Sequence, residues 1–217
     1  MTPEGMAELG EALRAPVSTA FVLAGAGSAF CLGADLKWLG SLPEPGDGVA
    51  TLVAAHHSVV RAMREAPTPV IAAVNGAAAG GGMSLALAAD YCIAGPNASF
   101  TAAYFRLGLT PDGGNSVFLP SLLGSGRAME LLLANRTLRA EEAREWGLVA
   151  EVASDPEKRA CELAASFASV PAATLRTTRR LLTPDLDLRL DQEAGAVAAV
   201  ARTKEFRGAL EAFLTQR

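Results

Sequence analysis

The chain has no excess of basic residues. Its 19 Lys and Arg stand against 23 Asp and Glu, a formal charge of -4, and the pI is near 5.3. A nucleic-acid footprint needs clustered positive charge, so none is expected. Cysteine is scarce as well. Cys31, Cys92 and Cys161 are odd in number and far apart, which argues against a disulfide framework or metal knuckle and reads as reduced thiols of a cytoplasmic protein. No His, Cys, Asp and Glu cluster has the spacing of a metal site, and no serine sits in a nucleophile elbow. The N-terminus carries acids early, without the basic start and apolar centre of a secretory signal. What the sequence does have is apolar surface: 50% of 217 residues are hydrophobic and 19% charged. That suffices for one substantial core and excludes intrinsic disorder.

No charge occurs from Ala66 to Ala89, a length that would span a bilayer, and Gly76-x-x-x-Gly80 resembles a membrane helix-packing motif. The stretch nevertheless opens on Pro67 and Pro69, carries Asn75 and gathers Gly80, Gly81 and Gly82 at its middle. A buried strand, a turn and a buried helix account for it better, and no membrane partner is expected.

Along the chain, Thr2-Pro3-Glu4 offers an N-cap, a proline at the first helical position and an early acid, so a helix is predicted to about Ala15. Ser18–Ala24 reads as a buried strand. Pro43–Gly48 reads as a loop, and Val49–Arg64 as a helix halted by Pro67 and Pro69. Val70–Val74 is a second buried strand with a turn at Asn75-Gly76. Met83–Ala89 continues as a helix of small residues. Asp90–Ala94 and Ser99–Thr101 read as strands, Gly108–Asn115 as a loop, and Ser116 as the cap of the next helix. A short helix at Glu141–Trp146 and a strand at Leu148–Val152 follow. From Asp155-Pro156 to Arg217 the pattern is helical, interrupted at Pro171 and Pro184. Strands thus dominate the first two-thirds and helices the last third, an α/β chain.

Two segments attract chemistry. In Gly25 to Leu36 (GAGSAFCLGADL), Gly25-x-Gly27 suggests a dinucleotide loop, but Phe30 stands where the third glycine belongs. The later Gly33-Ala34-Asp35 can expose a backbone N–H to a ligand. In Val74 to Ser84, three glycines at a helix start each cost about 1 kcal/mol relative to alanine. Either very close helix–strand contact or a ligand oxygen held by bare amides at the positive end of a helix explains them.

Taken in order, these residues strongly resemble the enoyl-CoA hydratase/isomerase (crotonase) superfamily. The matching elements are Gly25-x-Gly27-x-x-Phe30-Cys31-x-Gly33-Ala34-Asp35-Leu36, Ala73-Val74-Asn75-Gly76 with Gly80-Gly81-Gly82, Gly108-Leu109-x-Pro111-Asp112-x-Gly114, and Trp146-Gly147-Leu148-Val149. The terminal Glu205-Phe206-Arg207 to Phe213 is similar to the family's last helix. The resemblance implies a crotonase-type spiral of ββα units over residues 1–153, with a C-terminal helical oligomerisation region over 154–217. It also implies an acyl-CoA substrate, assembly as a homotrimer or hexamer, and no cofactor beyond the coenzyme A that arrives with the substrate. Members usually begin with two further strands before the helix matched here by Pro3–Arg14; these N-terminal strands are absent from the sequence, so either its start is misassigned or the protein is a shortened one with an open coenzyme cleft.

By the same resemblance, the amides of Ala34 and Gly81 form an oxyanion hole for the thioester. Two fixed donors stabilise an enolate oxygen more than the ground-state carbonyl. Family hydratases place glutamates at the positions of Ser84 and Tyr104, and neither is a carboxylate here, so two-glutamate hydration is not expected. Asp112 remains, in a Pro-Asp-Gly-Gly context like that of the isomerase branch, where one aspartate shuttles a proton along the acyl chain; in a bland reading it only makes a turn. The expected activity is therefore an isomerase shifting a double bond in an enoyl-CoA. The alternatives are a hydratase or a non-catalytic acyl-CoA-binding protein. Cys31, Leu32, Gly33, Asp35, Leu36, Trp38, Gly80, Ser84 and Tyr104 are the expected substrate-binding set, with no metal site. His56 and His57 are neighbours on a helix, unable to face one site together, and are expected to pack or face solvent. Arg176, Arg179 and Arg180 are expected on a solvated helix face.

Overall fold

The computed structural model describes residues 1–15 and 19–215. It is an α/β spiral. Helix α1 (Pro3–Ala12) starts as its signals require, with the Thr2 side chain accepting from the Gly5 amide. Strands β1 (Phe21–Ala24) and β2 (Ala29–Cys31) lead to α2 (Leu36–Gly40) and α3 (Pro45–Glu65). Strands β3 (Val70–Val74) and β4 (Ala77–Ala79) lead to α4 (Gly81–Ala88). Strands β5 (Tyr91–Ala94) and β6 (Ser99–Thr101), with a short 3-10 turn at Phe105–Leu107, lead to α5 (Asn115–Ala134). After these come β7 (Thr137–Arg139), α6 (Ala140–Glu145), β8 (Glu151–Val152) and four helices, α7 (Pro156–Phe167), α8 (Ala172–Leu182), α9 (Leu186–Val200) and α10 (Lys204–Thr215).

Each of the three strand pairs contributes its first strand to one sheet and its second to another. The sheets run β1-β3-β5-β8 and β2-β4-β6-β7, parallel throughout except where β7 meets β6. The wholly buried Val70–Val74 run sits centrally, covered on both faces as parallel strands must be. Ile71, Ala73 and Ile93 pack under α7, while Ala72 and Val74 face the main core. The charge-free stretch is thus β3, β4 and α4, interior to a protein core. Leu186 and Leu190 of α9 enter the same core, and Val197, Phe206 and Leu210 join α9 and α10 to Leu39 and Val53 of α2 and α3.

Several expectations need correction. Helix α3 starts at Pro45, inside the segment expected to be a loop, with Pro45 in its first turn and Asp47 as its early acid. Strands β2, β4 and β7 were not anticipated; each is three residues long, too short to show alternation. Strand β8 is only Glu151–Val152. Of the strand expected from Ser18, the described part begins at Phe21, and Ser18 lies outside the described residues. Ser116 does not cap α5. That helix begins at Asn115 after Gly114 and breaks at Gly124, where φ is 74°.

Arg179 is not on a solvated face. It is 3% exposed, with Nε donating to Asp90 Oδ1 at 2.8 Å and further bonds to the carbonyls of Ala66 and Thr68. Asp90 Oδ2 in turn accepts from the Val70 amide at 2.8 Å. One guanidinium thereby ties α8 to the turn before β3 and to the start of β5. Removing one member of such a pair strands the other in a poorly solvated place. Arg179→Ala is therefore expected to destabilise the protein by about 3 kcal/mol or more, read as a lower midpoint in urea denaturation. Arg180→Ala, which breaks only an exposed contact to Glu65, should cost about 1 kcal/mol or less.

Candidate active site

The turn Gly25–Gly27 is held by one side chain. Asn75 Oδ1 accepts from the Gly25 amide at 3.0 Å, and its Nδ2 donates to the carbonyls of Gly25 and Gly27 at 3.0 and 2.8 Å. This turn is a structural clamp between the β1 and β3 exits, and it carries no dinucleotide loop. Beyond β2 the chain reaches Gly33, whose φ is 81°. A methyl there would lie 2.8 Å from the Ala79 carbonyl and 3.4 Å from the Gly81 amide nitrogen. Gly33-Ala34 and Gly80-Gly81 are thus brought side by side although they are far apart in sequence.

The glycine triplet has a separate reason at each position. Gly80 adopts φ 53°, a left-handed conformation that disfavours side chains. A methyl on Gly82 would fall 2.0 Å from the Cys31 carbonyl, so close helix–strand packing excludes it. A methyl on Gly81 would meet the Met1 side chain at 2.6 Å and His56 Cε1 at 3.2 Å, at the wall of a cavity of about 780 Å³. Of the two explanations left open by the sequence, close helix–strand contact therefore holds at Gly82.

Of the expected site residues, Leu32, Gly33, Ala34, Asp35, Leu36, Gly80, Gly81, Tyr104 and Asp112 line this cavity. Three expected residues do not. Cys31 turns its carbonyl to Gly82. Trp38 packs between two apolar clusters. Ser84 is fully buried one layer behind the wall. Asp35 lines the cavity, but its Oδ1 caps α2, accepting from the amides of Lys37 and Trp38 at 3.0 Å each.

Behind the wall lies a closed polar network. Ser84 Oγ is 2.8 Å from the Tyr104 hydroxyl and donates to the Asp112 carbonyl at 3.0 Å. Asn115 Nδ2 donates to Ser84 Oγ at 2.9 Å and to the Tyr104 oxygen at 3.0 Å. With its oxygen supplied by Asn115, Tyr104 has its proton free for Asp112 Oδ1, 3.1 Å away. Burial, and secondarily the Asp112 charge, push the Tyr104 phenol well above its ordinary pKa. It is accordingly a fixed neutral donor, never a base near neutrality.

Asp112 makes a turn through its backbone, accepting from the Asn115 amide at 3.1 Å. Its side chain is 14% exposed and faces the cavity. The conformation depends on Gly113 and Gly114, both left-handed at φ 64° and 87°. A methyl on Gly113 would strike His56 Cε1 at 2.2 Å and Ser84 Cβ at 2.6 Å. The Gly113 amide donates to His57 Nε2 at 3.0 Å. The amides of Gly114 and Ser116 donate to the Glu193 carboxylate at 2.8 and 2.9 Å. A carboxylate from α9 thus sits at the positive end of α5. Burial raises the Glu193 pKa, opposed by those same hydrogen bonds.

Both histidines are packed, as one of their two expected placements had it, and they face different partners. Because the loop wraps around α3, His57 takes the Gly113 amide while His56 lines the cavity, its Nδ1 3.6 Å from Asp112 Oδ1. Both are buried, at 1% and 2% exposed. The sequence held a signal for His56: with Val49, Leu52 and Val53 it completes an i, i+3, i+4, i+7 stripe, and all four line the cavity.

His57 accepts a hydrogen bond at Nε2 and is therefore neutral. Burial lowers its pKa to about 4 from 6.5. Between those values the unfolded chain binds a proton that the native state does not. Its stabilising contribution is complete above pH 6.5 and is lost as pH falls toward 4, at about 1.4 kcal/mol per pH unit. Urea titrations of wild type and His57→Gln are expected to converge as pH falls through this window; parallel curves would refute the assignment.

The family model described as enoyl-CoA hydratase/isomerase matches residues 1–217. The chain belongs to this family. It is 37% identical over 207 residues to the 1,2-epoxyphenylacetyl-CoA isomerase of Escherichia coli, covering 90% of this chain and 78% of that one. It is also 37% identical over 211 residues to a probable enoyl-CoA hydratase of Rhodobacter capsulatus, covering 91% and 79%. A solved enoyl-CoA hydratase/isomerase from Mycobacterium paratuberculosis superposes with a TM-score of 0.86 at 29% identity, over 98% of this chain and 88% of that one. The spiral is accordingly the crotonase fold, and the protein is an enzyme of the hydratase/isomerase family with acyl-CoA thioesters as its substrate class.

Proposed function

We propose that this crotonase-fold enzyme is an isomerase that moves a double bond along an enoyl-CoA thioester. The amides of Ala34 and Gly81 receive the thioester oxygen. Asp112 removes a proton from one carbon, the electron pair passes into the enolate, and the proton returns at another carbon. One observation carries this reading. Of the two carboxylates lining the cavity among the described residues, Asp35 is committed to capping α2, and Asp112 alone presents its carboxylate to the cavity from a loop fixed on both sides. Hydration in the two-glutamate manner finds no support at Ser84 and Tyr104. These groups bond to each other, and Tyr104 is held neutral. The coenzyme A moiety comes with the substrate, and the scheme uses no metal or redox cofactor.

The test is a panel of enoyl- and dienoyl-CoA thioesters assayed for double-bond migration and for water addition. Asp112→Asn is expected to lower kcat by about 10²–10⁴-fold with thioester affinity retained. Binding across the panel without turnover would favour a non-catalytic acyl-CoA-binding protein, and water addition a hydratase. The homotrimer or hexamer implied by family resemblance also finds support in the exposed Leu133, Leu181, Leu182 and Leu188. Light scattering is expected to give a multiple of three chain masses.

A further inference from the structure

One buried polar side chain in the cavity wall has no hydrogen-bonded partner among the described residues. Both ring nitrogens of His56 are buried and unbonded. Unpaired buried groups of this kind cost about 1–3 kcal/mol each, and a leucine or phenylalanine would extend the apolar stripe of α3 without that cost. The ring has a definite place. Nδ1 stands 3.6 Å from Asp112 Oδ1, and a methyl on Gly81 would lie 3.4 Å from the same nitrogen. It therefore sits between the start of α4 and the carboxylate. That separation is longer than a hydrogen bond, and catalytic hydrogen bonds commonly tighten only when substrate is present.

Resting on the enolate reading above, we infer that His56 is the proton-transfer partner of Asp112, holding on Nδ1 the proton that Asp112 takes from the acyl carbon. In the first step the C–H bond breaks, an O–H bond forms on Asp112, and the electron pair becomes the enolate. In the second, that O–H bond breaks and an N–H bond forms on Nδ1. Asp112 is a carboxylate again, beside an imidazolium. Both steps then reverse, delivering the proton to the new carbon with no net gain or loss. With Nδ1 in reach of Oδ1, the pair has a second place to hold the proton while the enolate rearranges. The opposite charges of the intermediate pair also offset each other. The ionisable groups around the ring are Asp112 and Tyr104 from the far wall, His57 on its own helix, and Glu193 from α9 behind His57. Asp35, Lys37 and Arg106 complete the ionisable side chains of the cavity.

The experiment uses the full chain and a thioester from the panel that wild type converts. His56→Gln is expected to lose about 10²-fold in kcat with KM nearly unchanged, and to move the acid limb of its kcat/KM profile. Added imidazole should restore part of the activity of His56→Ala. Wild-type kcat with an unmoved limb, or a loss confined to KM, would overturn the inference. Full turnover in Asp112→Asn would instead overturn the isomerase reading and this inference with it. Loss in Asp112→Asn together with an unaffected His56→Gln would overturn only this inference. Should the glutamine variant fail to fold, as seen by circular dichroism, NMR of the two histidines replaces it. The midpoint of His56 is expected to fall in folded Asp112→Asn, and an unchanged midpoint would refute the coupling.

Discussion

Asp112 keeps its place because a carboxylate on a distant helix takes the amides beside it. Glu193 accepts from Gly114 and Ser116 where the unpaired N–H groups of α5 would otherwise meet apolar surroundings. A buried carboxylate is costly alone, and a buried helix start is costly alone. Each satisfies the other, and charge-assisted bonds of this kind are short and strong. His57 completes the hold by accepting from Gly113. The loop is thereby gripped from α3 and from α9, and Asp112, among the described residues the only carboxylate with a free face into the cavity, inherits that rigidity.

The spiral supplies the other half of the site. Because the strands of each pair enter different sheets, the exits of β2 and β4 lie next to each other. Gly33-Ala34 and Gly80-Gly81 follow those exits directly, so two backbone segments meet without any side chain between them. Small residues are required there for three distinct reasons: a left-handed turn at Gly80, the Met1 and His56 side chains against Gly81, and contact with Cys31 at Gly82.

Ser84, Tyr104 and Asn115 illustrate how polarity can be kept inert. Their hydroxyls and the Asn115 amide nitrogen bond to one another and reach outward to Asp112, Tyr104 to its carboxylate and Ser84 to its carbonyl. A neutral phenol in this position orients the carboxylate and gives up no proton of its own. The network ends at Asp112, and the imidazole of His56 beside it stays unbonded.

Local order was legible in the residues themselves. The Thr2 cap, the Val70–Val74 strand, the glycine triplet and the Pro111-Asp112-Gly113-Gly114 loop are short-range features, and backbone preference and apolar run length determine them. The ordered motifs named the family and marked Ala34, Gly81 and Asp112 before any coordinates. What the sequence could not decide was which groups meet across long separations. Arg179 reaches Asp90, Glu193 reaches Gly114, and His56 and His57 both reach one loop. Helical spacing separates adjacent histidines on a cylinder, yet it says nothing of a loop that curls around that cylinder. Three-residue strands likewise carry too few positions to show a period. Only the closing of the spiral, with apolar faces buried and every stranded amide or charge forced to find a partner, brought those groups together.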